Sequence, residues 1–417
     1  MSPGGRGMRV GLVCPYSFDS PGGVQNHELG LATYLRDQGH EPHILAPGDH
    51  VPEELAPGTA APPTAAPANA AHDTAAPLTA RQPAGTGGEG SFTSAGTATA
   101  VRYNGSVAKV NFGPLTAARV ARWLRRGQFD LVHLHEPITP SVSILALWAA
   151  DVPVVATFHT ATPHSRSMRL AGGAMRAAVE KIDAGIAVSE SARKVVVQHL
   201  GRDAVVVPNG FRYADFAGAA RRHPRTWRGG AAPRLSFLGR LDEPRKGLDT
   251  LLAAVPGLRR RWPDLDIVIA GVGRRRLPEG CRALGLISDR EKVQLLATSD
   301  VFVAPHVARE SFGIVLLEAM AAGAAVVASD LPAFADLLTE PGETQPTHGR
   351  TFPAGDSEAL TAAVHQVLLR PDRDRAAAAQ LASSRYDWSV VGAAITDVYE
   401  ATVELATPTV RDRAVAQ

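Results

Sequence analysis

Glu310-Ser311-Phe312-Gly313-Ile314-Val315-Leu316-Leu317-Glu318 decides how the chain is read. Two carboxylates stand eight residues apart, on either side of an apolar run that reads as a helix ending at Gly323. Eight helical residues would span about 12 Å at about 1.5 Å each. That is too far for both acids to serve one reacting atom, and it suits an elongated ligand with an acid near each end. Free backbone N–H groups at the helix start favour an anion such as pyrophosphate between them. A nucleotide diphosphate sugar, with sugar, two phosphates and ribose in a row, has this layout.

The rest of the composition narrows the setting. A chain of 417 residues, 45% hydrophobic and 20% charged, suits two domains of ordinary globular make-up. A net charge of +2 exerts no global pull on nucleic acid, and none is expected as a partner. Lysine fills only five of the 43 basic positions. With so much alanine this reads as a coding bias, so a scattered arginine says little and Lys246 says more. Cys14 and Cys281 do not make a disulfide framework and fit a reducing compartment. No apolar run nears roughly 18 residues and no apolar leader precedes the first strand. A soluble cytoplasmic chain is expected, with Met8 as its natural start and residues 1–7 as an unstructured leader.

Short β-branched runs alternate with helical patterns, which implies parallel sheets with helical crossovers. The first series is Val10–Cys14, His43–Pro47, Ala98–Tyr103, Leu131–His135, Val154–His159, Gly185–Val188 and Val205–Val207. The second is Arg234–Gly239, Asp266–Ala270, Asp300–Ala304 and Ala325–Ser329. Pro208-Asn209-Gly210 lies between the series as a turn and hinge. We therefore expect an α/β chain of two facing doubly wound domains, over 1–208 and 209–386, with a final helix over 387–407 capped by Ser389. Ligands of such sheets bind beyond the carboxyl ends of the strands, so the site belongs in the cleft between the domains. Residues 51–96, rich in Ala, Pro, Thr and Gly, cannot offset their ordering entropy by burial and read as a disordered insertion. Arg221–Ala232 reads as a loop, and the tail from Pro408 as frayed.

Several stretches carry candidate chemistry. Gly22-Gly23 after the first strand allows a phosphate close to backbone N–H groups, or else marks a turn needing positive φ. The Gly22-Gly23 stretch is not the dinucleotide fingerprint, since no G-x-G-x-x-G follows this strand. Gly239-Arg240-Leu241-Asp242-Glu243-Pro244-Arg245-Lys246-Gly247 sets Arg240 and Lys246 to stabilise a diphosphate leaving group. His159 ends a strand, where cleft residues lie. His133 and His135 alternate on one strand; they lack a third metal ligand in the sequence and read as sheet packing, so no metal site is expected. On the helix Leu115–Arg126, Arg119, Arg122 and Arg126 share a face, with Arg125 close by and Leu115, Ala118, Trp123 and Leu124 as apolar surface. A basic amphipathic helix of this kind suits an anionic bilayer, or is an ordinary solvated face.

Together these motifs resemble the retaining glycosyltransferases with two Rossmann-like domains and an E-x7-E signature. Within that family the likeness is greatest to the actinobacterial phosphatidyl-myo-inositol mannosyltransferases. Met8–Asp19, Pro21–Gln25, Tyr103–Ala108, Phe158-His159-Thr160, Pro208-Asn209-Gly210, Asp242–Gly247, Glu310–Val315 and Tyr386–Val391 carry it. The resemblance implies a GT-B fold and transfer of mannose from GDP-mannose to the inositol ring of phosphatidylinositol, at the inner face of the cell membrane. No tightly bound cofactor is implied, and magnesium is left open. It places Gly23, Arg240 and Lys246 on the diphosphate, Glu310 on the sugar and Glu318 on the ribose. Ile314 would lie beside the nucleotide, with Ile287, Asp289 and Lys292 near the base. His159 would be essential near the reacting centre. Tyr16, Gln25, Tyr103, Asn104 and Lys109 would line the acceptor pocket, and Arg119, Arg122, Trp123, Arg125 and Arg126 would meet an anionic membrane.

The chain also departs from the family. Lys109 stands where the family has Arg, Ala308-Arg309 replace a usual Gly pair, Gly273–Leu284 is short, and the 51–96 insertion has no counterpart. Another nucleotide sugar or a soluble inositol phosphate acceptor stays open as an alternative. So do a sugar-nucleotide epimerase and a non-catalytic nucleotide-sugar binder.

Overall fold

The computed structural model describes residues 7–20, 22–49, 92–103, 106–159, 177–222, 232–308 and 310–406, without the side chains of 102, 103, 106, 107 and 220–222. Expectations for the leader before Gly7, the insertion over 51–91, Asn104, Thr160, Arg309 and the tail lie outside these residues.

Two parallel sheets form. The first has strands β1 (Arg9–Val13), β2 (Glu41–Ala46), β3 (Phe92–Ser94), β6 (Leu131–His135), β7 (Val154–Phe158), β8 (Ala184–Ala187) and β9 (Val205–Val206), in the order β3-β2-β1-β6-β7-β8-β9. The antiparallel hairpin of β4 (Thr99–Tyr103) and β5 (Ser106–Val110) stands apart from it. The second sheet has β10 (Arg234–Leu238), β11 (Asp266–Ala270), β12 (Cys281–Gly285), β13 (Val301–Ala304), β14 (Ala325–Ser329) and β15 (Arg350–Phe352), in the order β12-β11-β10-β13-β14-β15. The central strands β6, β7 and β13 are buried at every residue, as sheets covered on both faces require. Each sheet reverses direction of growth once, between β1 and β6 and between β10 and β13. These switch points open crevices at the strands' carboxyl ends.

Several readings need correction. Ala98–Tyr103 was expected in the main sheet, but β4 pairs with β5, the next strand along the chain, and not with a main-sheet strand. Phe92–Ser94, expected inside the disordered insertion, is the edge strand beside β2. Arg221 and Arg222, expected in a loop, finish the helix Tyr213–Arg222. β12, β15 and the hairpin strand β5 were missed: each is short, and β12 is mostly exposed, so none carries a buried apolar run.

The final helix, Trp388–Ala406, packs against the helix Gly23–Asp37 of the first domain. A Cβ on Gly30 would sit 2.3 Å from the Trp388 ring, so this crossing tolerates only glycine there. Tyr399, fully buried, joins Leu31, Leu35, Ile395 and Val391 in one apolar cluster. The helix is capped by Asp387, not Ser389. Asp387 Oδ1 accepts from the Ser389 backbone N–H at 3.0 Å and from its hydroxyl at 2.6 Å. The other oxygen, Oδ2, accepts from the Tyr213 N–H at 3.0 Å. The chain thus leaves the first domain near Phe211 and returns near Asp387, and the two crossings are tied by Phe211 N–H to Tyr386 O at 3.0 Å and Trp388 N–H to Phe211 O at 3.2 Å.

Candidate active site

The site residues hang from the two switch points. Beyond β1 the chain runs through Pro15–Ser20 into the helix that begins at Gly23. Gly22 is extended (φ −161°) and neither glycine of the pair has positive φ, so the turn explanation of this pair does not hold. A Cβ on Gly22 would meet the Gln25 amide at 2.4 Å, whereas one on Gly23 would meet nothing within 4 Å. Gly23 therefore faces open space at a helix start. The Gln25 Nε2 donates to Ser17 O and Ser20 O, both at 3.1 Å, and holds this loop. The Ser17 N–H donates to Lys109 O at 2.9 Å, which lays the hairpin against the loop carrying Tyr16.

Beyond β10 lies the basic loop. Gly247 takes φ +70°, and a Cβ there would strike Pro305 O, so the loop after β10 presses on the loop after β13. That contact brings Lys246 and Glu310 together. Lys246 Nζ donates to Glu310 Oε2 at 3.0 Å, and Arg245 Nη1 lies 3.7 Å from the same oxygen. Burial would raise the Glu310 carboxyl, but Lys246, His306 and Arg245 hold it down at about 2. His306 Nδ1 is 3.3 Å from Glu310. Burial and the Lys246 cation push its imidazole to about 3, so this is a neutral ring beside a carboxylate. The helix Ile314–Ala321 starts just beyond, at Gly313.

Glu318, on that helix, forms a second charged group. Lys292 Nζ donates to Glu318 Oε1 at 2.7 Å and lies 3.3 Å from Asp289. Burial works against the Lys292 ammonium, but Glu318 and Asp289 raise its pKa above the ordinary lysine value. Ile287 packs beside Val268, Ala270 and Leu295. The first domain reaches this side through the Ser189 hydroxyl, which donates to Ser311 O at 3.1 Å.

The first domain contributes a contrasting group. His159, just beyond β7, is 8% exposed and accepts a neighbour in His135, whose Nδ1 is 2.9 Å from His159 Nε2. The His159 backbone N–H donates to Glu136 Oε1 at 2.8 Å. His27 stacks its ring edge on both, with centroids 5.6 Å from His135 and 5.1 Å from His159. Burial lowers His159 and His133 to about 3 and pushes His27 and His135 down as well. His133 is bonded on both ring nitrogens, to Tyr399 OH and Thr157 Oγ1, each at 2.6 Å.

Sequence reasoning missed Arg245, His306, Glu136 and His27. The strand-end position that singled out His159 applies equally to His306. His27 carries no such signal, because only the fold of its helix over β6 and β7 brings it in. The His133–His135 pair weighed in the sequence is not completed; the structure instead gathers His27, His135 and His159, with ring nitrogens within 4.8 Å of one another.

The basic helix, Pro114–Gly127, divides the membrane candidates. Arg122, Arg125 and Arg126 are exposed. Arg119 Nη1 donates to Ala95 O at 3.2 Å. Trp123 is a correction: it is buried 4.4 Å from the Phe129 ring and has no face for a bilayer, because the apolar side of this helix packs on the sheet. Phe112 and Leu115, 53% and 78% exposed, are the apolar groups that project here. Nothing in the described residues bears on Asn104 or the side chain of Tyr103. Arg240 lies on the exposed rim of the loop after β10.

Comparison with known proteins places this geometry. Residues 21–214 match the Glycosyltransferase Family 4 model and 232–370 the Glycosyl transferases group 1 model. The chain is 44% identical over 392 residues to a phosphatidyl-myo-inositol mannosyltransferase of Propionibacterium freudenreichii, covering 94% of both chains. It is 44% identical over 406 residues to one of Mycolicibacterium smegmatis, again with 94% of each covered. Among solved structures, a Rickettsia africae glycosyltransferase superposes with a TM-score of 0.70 at 17% identity, over 96% of this chain and 99% of that one. Anabaena HepE, in complex with UDP and glucose, superposes with a TM-score of 0.67 at 18% identity, over 94% and 100%.

Proposed function

The chain belongs to the phosphatidyl-myo-inositol mannosyltransferase family of two-domain glycosyltransferases, and from that premise we propose that it moves mannose from GDP-mannose to the inositol ring of phosphatidylinositol. The observation that carries this is the Lys246–Glu310 pair at the start of the helix Ile314–Ala321, in a chain that aligns with those relatives over 94% of its length.

In this reading Arg240 and Lys246 receive the diphosphate, with the backbone N–H groups at Gly23 and Ile314 adding donors at two helix starts. Glu310 meets the sugar, and Glu318 with Lys292 meets the ribose. Ile287, Ile314 and Asp289 sit by the nucleotide. As the bond from the anomeric carbon to the phosphate oxygen breaks, positive charge grows on the sugar and negative charge on GDP. Fixed cations stabilise the latter without having to reorganise. The released phosphate oxygen takes the proton of the inositol hydroxyl while the new bond forms on the same face, which retains configuration. Tyr16, Gln25 and Lys109 line the acceptor side. Lys109 offers one point charge to the lipid phosphate, where an arginine would offer a fork.

Among the described residues no helix is long and apolar enough to cross a membrane. Contact with the bilayer is assigned to Arg122, Arg125 and Arg126 with Phe112 and Leu115, at the cytoplasmic face. Incubation with GDP-mannose and phosphatidylinositol, followed by mass spectrometry of the lipids, tests the whole reading. One added hexose on the lipid is the expected product. Transfer from UDP-glucose instead, transfer to a soluble inositol phosphate, or an epimerised nucleotide sugar without acceptor would each replace it with another reading.

A further inference from the structure

The imidazoles of His27, His135 and His159 meet in the interior of the first domain, and their hydrogen bonding is incomplete in an informative way. His135 Nδ1 and His159 Nε2 are 2.9 Å apart, so one of them carries the shared proton. The other ring nitrogen of His135, Nε2, is buried without a partner. If His159 donated, His135 would hold its own proton on Nε2 and bury an unmatched donor. If His135 donates, Nε2 is a bare lone pair. Orphaned buried N–H groups are rarer than under-satisfied acceptors, and a neutral imidazole has one donor and one acceptor nitrogen. His27, unpartnered on both ring nitrogens, already buries one unmatched N–H in this cluster, and the second arrangement is favoured because it adds no further one.

We propose that His135 is a positioning residue that fixes His159 in its Nδ1–H tautomer, so that His159 presents a hydrogen-bond donor, and not a base, to the acceptor hydroxyl. The inference deepens the proposed function and rests on the reading, implied by the family resemblance, that His159 stands near the reacting centre. Asn209, in the hinge, neighbours the His159 ring, and its buried Oδ1 has no hydrogen-bond partner among the described residues. A donor at His159 Nδ1 matches that oxygen when the acceptor is absent. The Glu136 carboxylate accepts the His159 backbone N–H at 2.8 Å and fixes the backbone from which the ring extends. A metal ion on the same three rings would need the shared proton displaced and would bury a divalent charge with no anion among its three ligands. The hydrogen-bonded pair asks for neither.

The test uses the full chain labelled with ¹⁵N-histidine. Long-range ¹H–¹⁵N spectra read which ring nitrogen of His159 is protonated, with the signal assigned by its loss in His159→Gln. The wild-type spectrum is expected to show Nδ1–H and a bare Nε2. In His135→Leu the two tautomers should mix and turnover should fall roughly 10–100-fold, the range seen when a supporting partner of a functional histidine is lost. In His135→Asn the amide nitrogen stands near the former Nδ1 and restores the donor. That variant should recover the single tautomer and most of the turnover. A proton on Nε2 of wild-type His159, an Asn variant as impaired as the Leu variant, or spectra that change on chelation would overturn the proposal. The wild-type spectrum decides the tautomer even if His135→Leu does not fold. It also does so if the lipid assay yields no mannosylated product, so failure of the functional reading remains a separate result.

Discussion

The two lobes solve opposite electrostatic problems with opposite materials. The second lobe surrounds its ligand side with buried charges already matched, Lys246 on Glu310 and Lys292 on Glu318. The first lobe places four histidines, His27, His133, His135 and His159, in its interior and keeps them neutral by burial. On the proposed function, the difference follows from what each side would handle. A diphosphate brings charge that needs fixed counter-charge. An inositol hydroxyl needs orientation, which neutral hydrogen-bonding rings can supply.

Acid should separate the lobes most strongly. An imidazole whose pKa falls on folding is protonated first in the unfolded chain. Its stabilising effect is complete above the unfolded value near 6.5 and drains as pH drops toward the folded value of about 3. Between pH 7.5 and 5 His133 and His159 alone would remove about 4 kcal/mol, a large part of a typical stability. His27 and His135 act in the same direction. Glu310, depressed to about 2, loses its contribution only as pH falls below the unfolded value near 4.5. His306 is the single lowered imidazole of the second site. Hydrogen exchange at pH 5 should therefore show the first lobe opening well before the second, and equal loss of protection would break the contrast.

Removing a charge from the second lobe should cost catalysis more than folding. Lys246→Ala is expected to lower turnover by about 10²–10³-fold, as for other lost transition-state contacts, while Arg245 remains to hold Glu310 in the fold. Steady-state mannosyl transfer together with a melting curve checks this. Near-normal turnover would remove Lys246 from the leaving group.

How much of this contrast could be read beforehand differs between the lobes. The residues of the charged half could be named beforehand, Glu310, Glu318 and Lys246 from short motifs and Lys292 from the family resemblance, and the fold pairs them as Lys246 with Glu310 and Lys292 with Glu318. The neutral half was not legible as a group. His133 and His135 looked like sheet packing, and His27 sits unmarked in a helix. Their relation depends on β6, β7 and that helix meeting in space, which no local pattern encodes. The parallel sheets followed from buried β-branched runs, whereas exposed β12 and the three-residue strands β3 and β15 offered no such runs. Trp123 shows the limit of helical-face reasoning. Spacing put it near the arginines, but the Trp123 ring lies in the core beside Phe129.

A smaller effect sharpens the first lobe's neutrality. Glu28 is fully buried with both carboxyl oxygens unpartnered, and burial raises its pKa well above the usual carboxylate range. The folded state therefore prefers the protonated acid, so stability is highest below the unfolded value and declines as pH rises through it. Glu28→Gln should stabilise the chain by about 1 kcal/mol at pH 8, with the gain vanishing near pH 4. Urea midpoints at both values measure it. A stabilisation that did not depend on pH would show that ionisation of Glu28 is not its source.

The smallest effect tests what couples the lobes. Asp387 caps the returning helix through the Ser389 N–H and at the same time holds the Tyr213 N–H of the outgoing crossing. One carboxylate thus serves both hinge strands. Asp387→Ala should cost about 1–2 kcal/mol, the usual range for a lost cap, and Ser389→Ala no more than about 0.5. For domains of this size about 1 kcal/mol moves the melting midpoint by roughly 2–4 °C, so the pair is resolvable in one calorimetric series. If the carboxylate only capped the helix, Asp387→Asn, which keeps a side-chain acceptor, would restore the midpoint. Because Asn has one acceptor oxygen for two widely separated donors, it should restore only part of it. Full rescue would show that the bond to Tyr213 adds nothing to the junction.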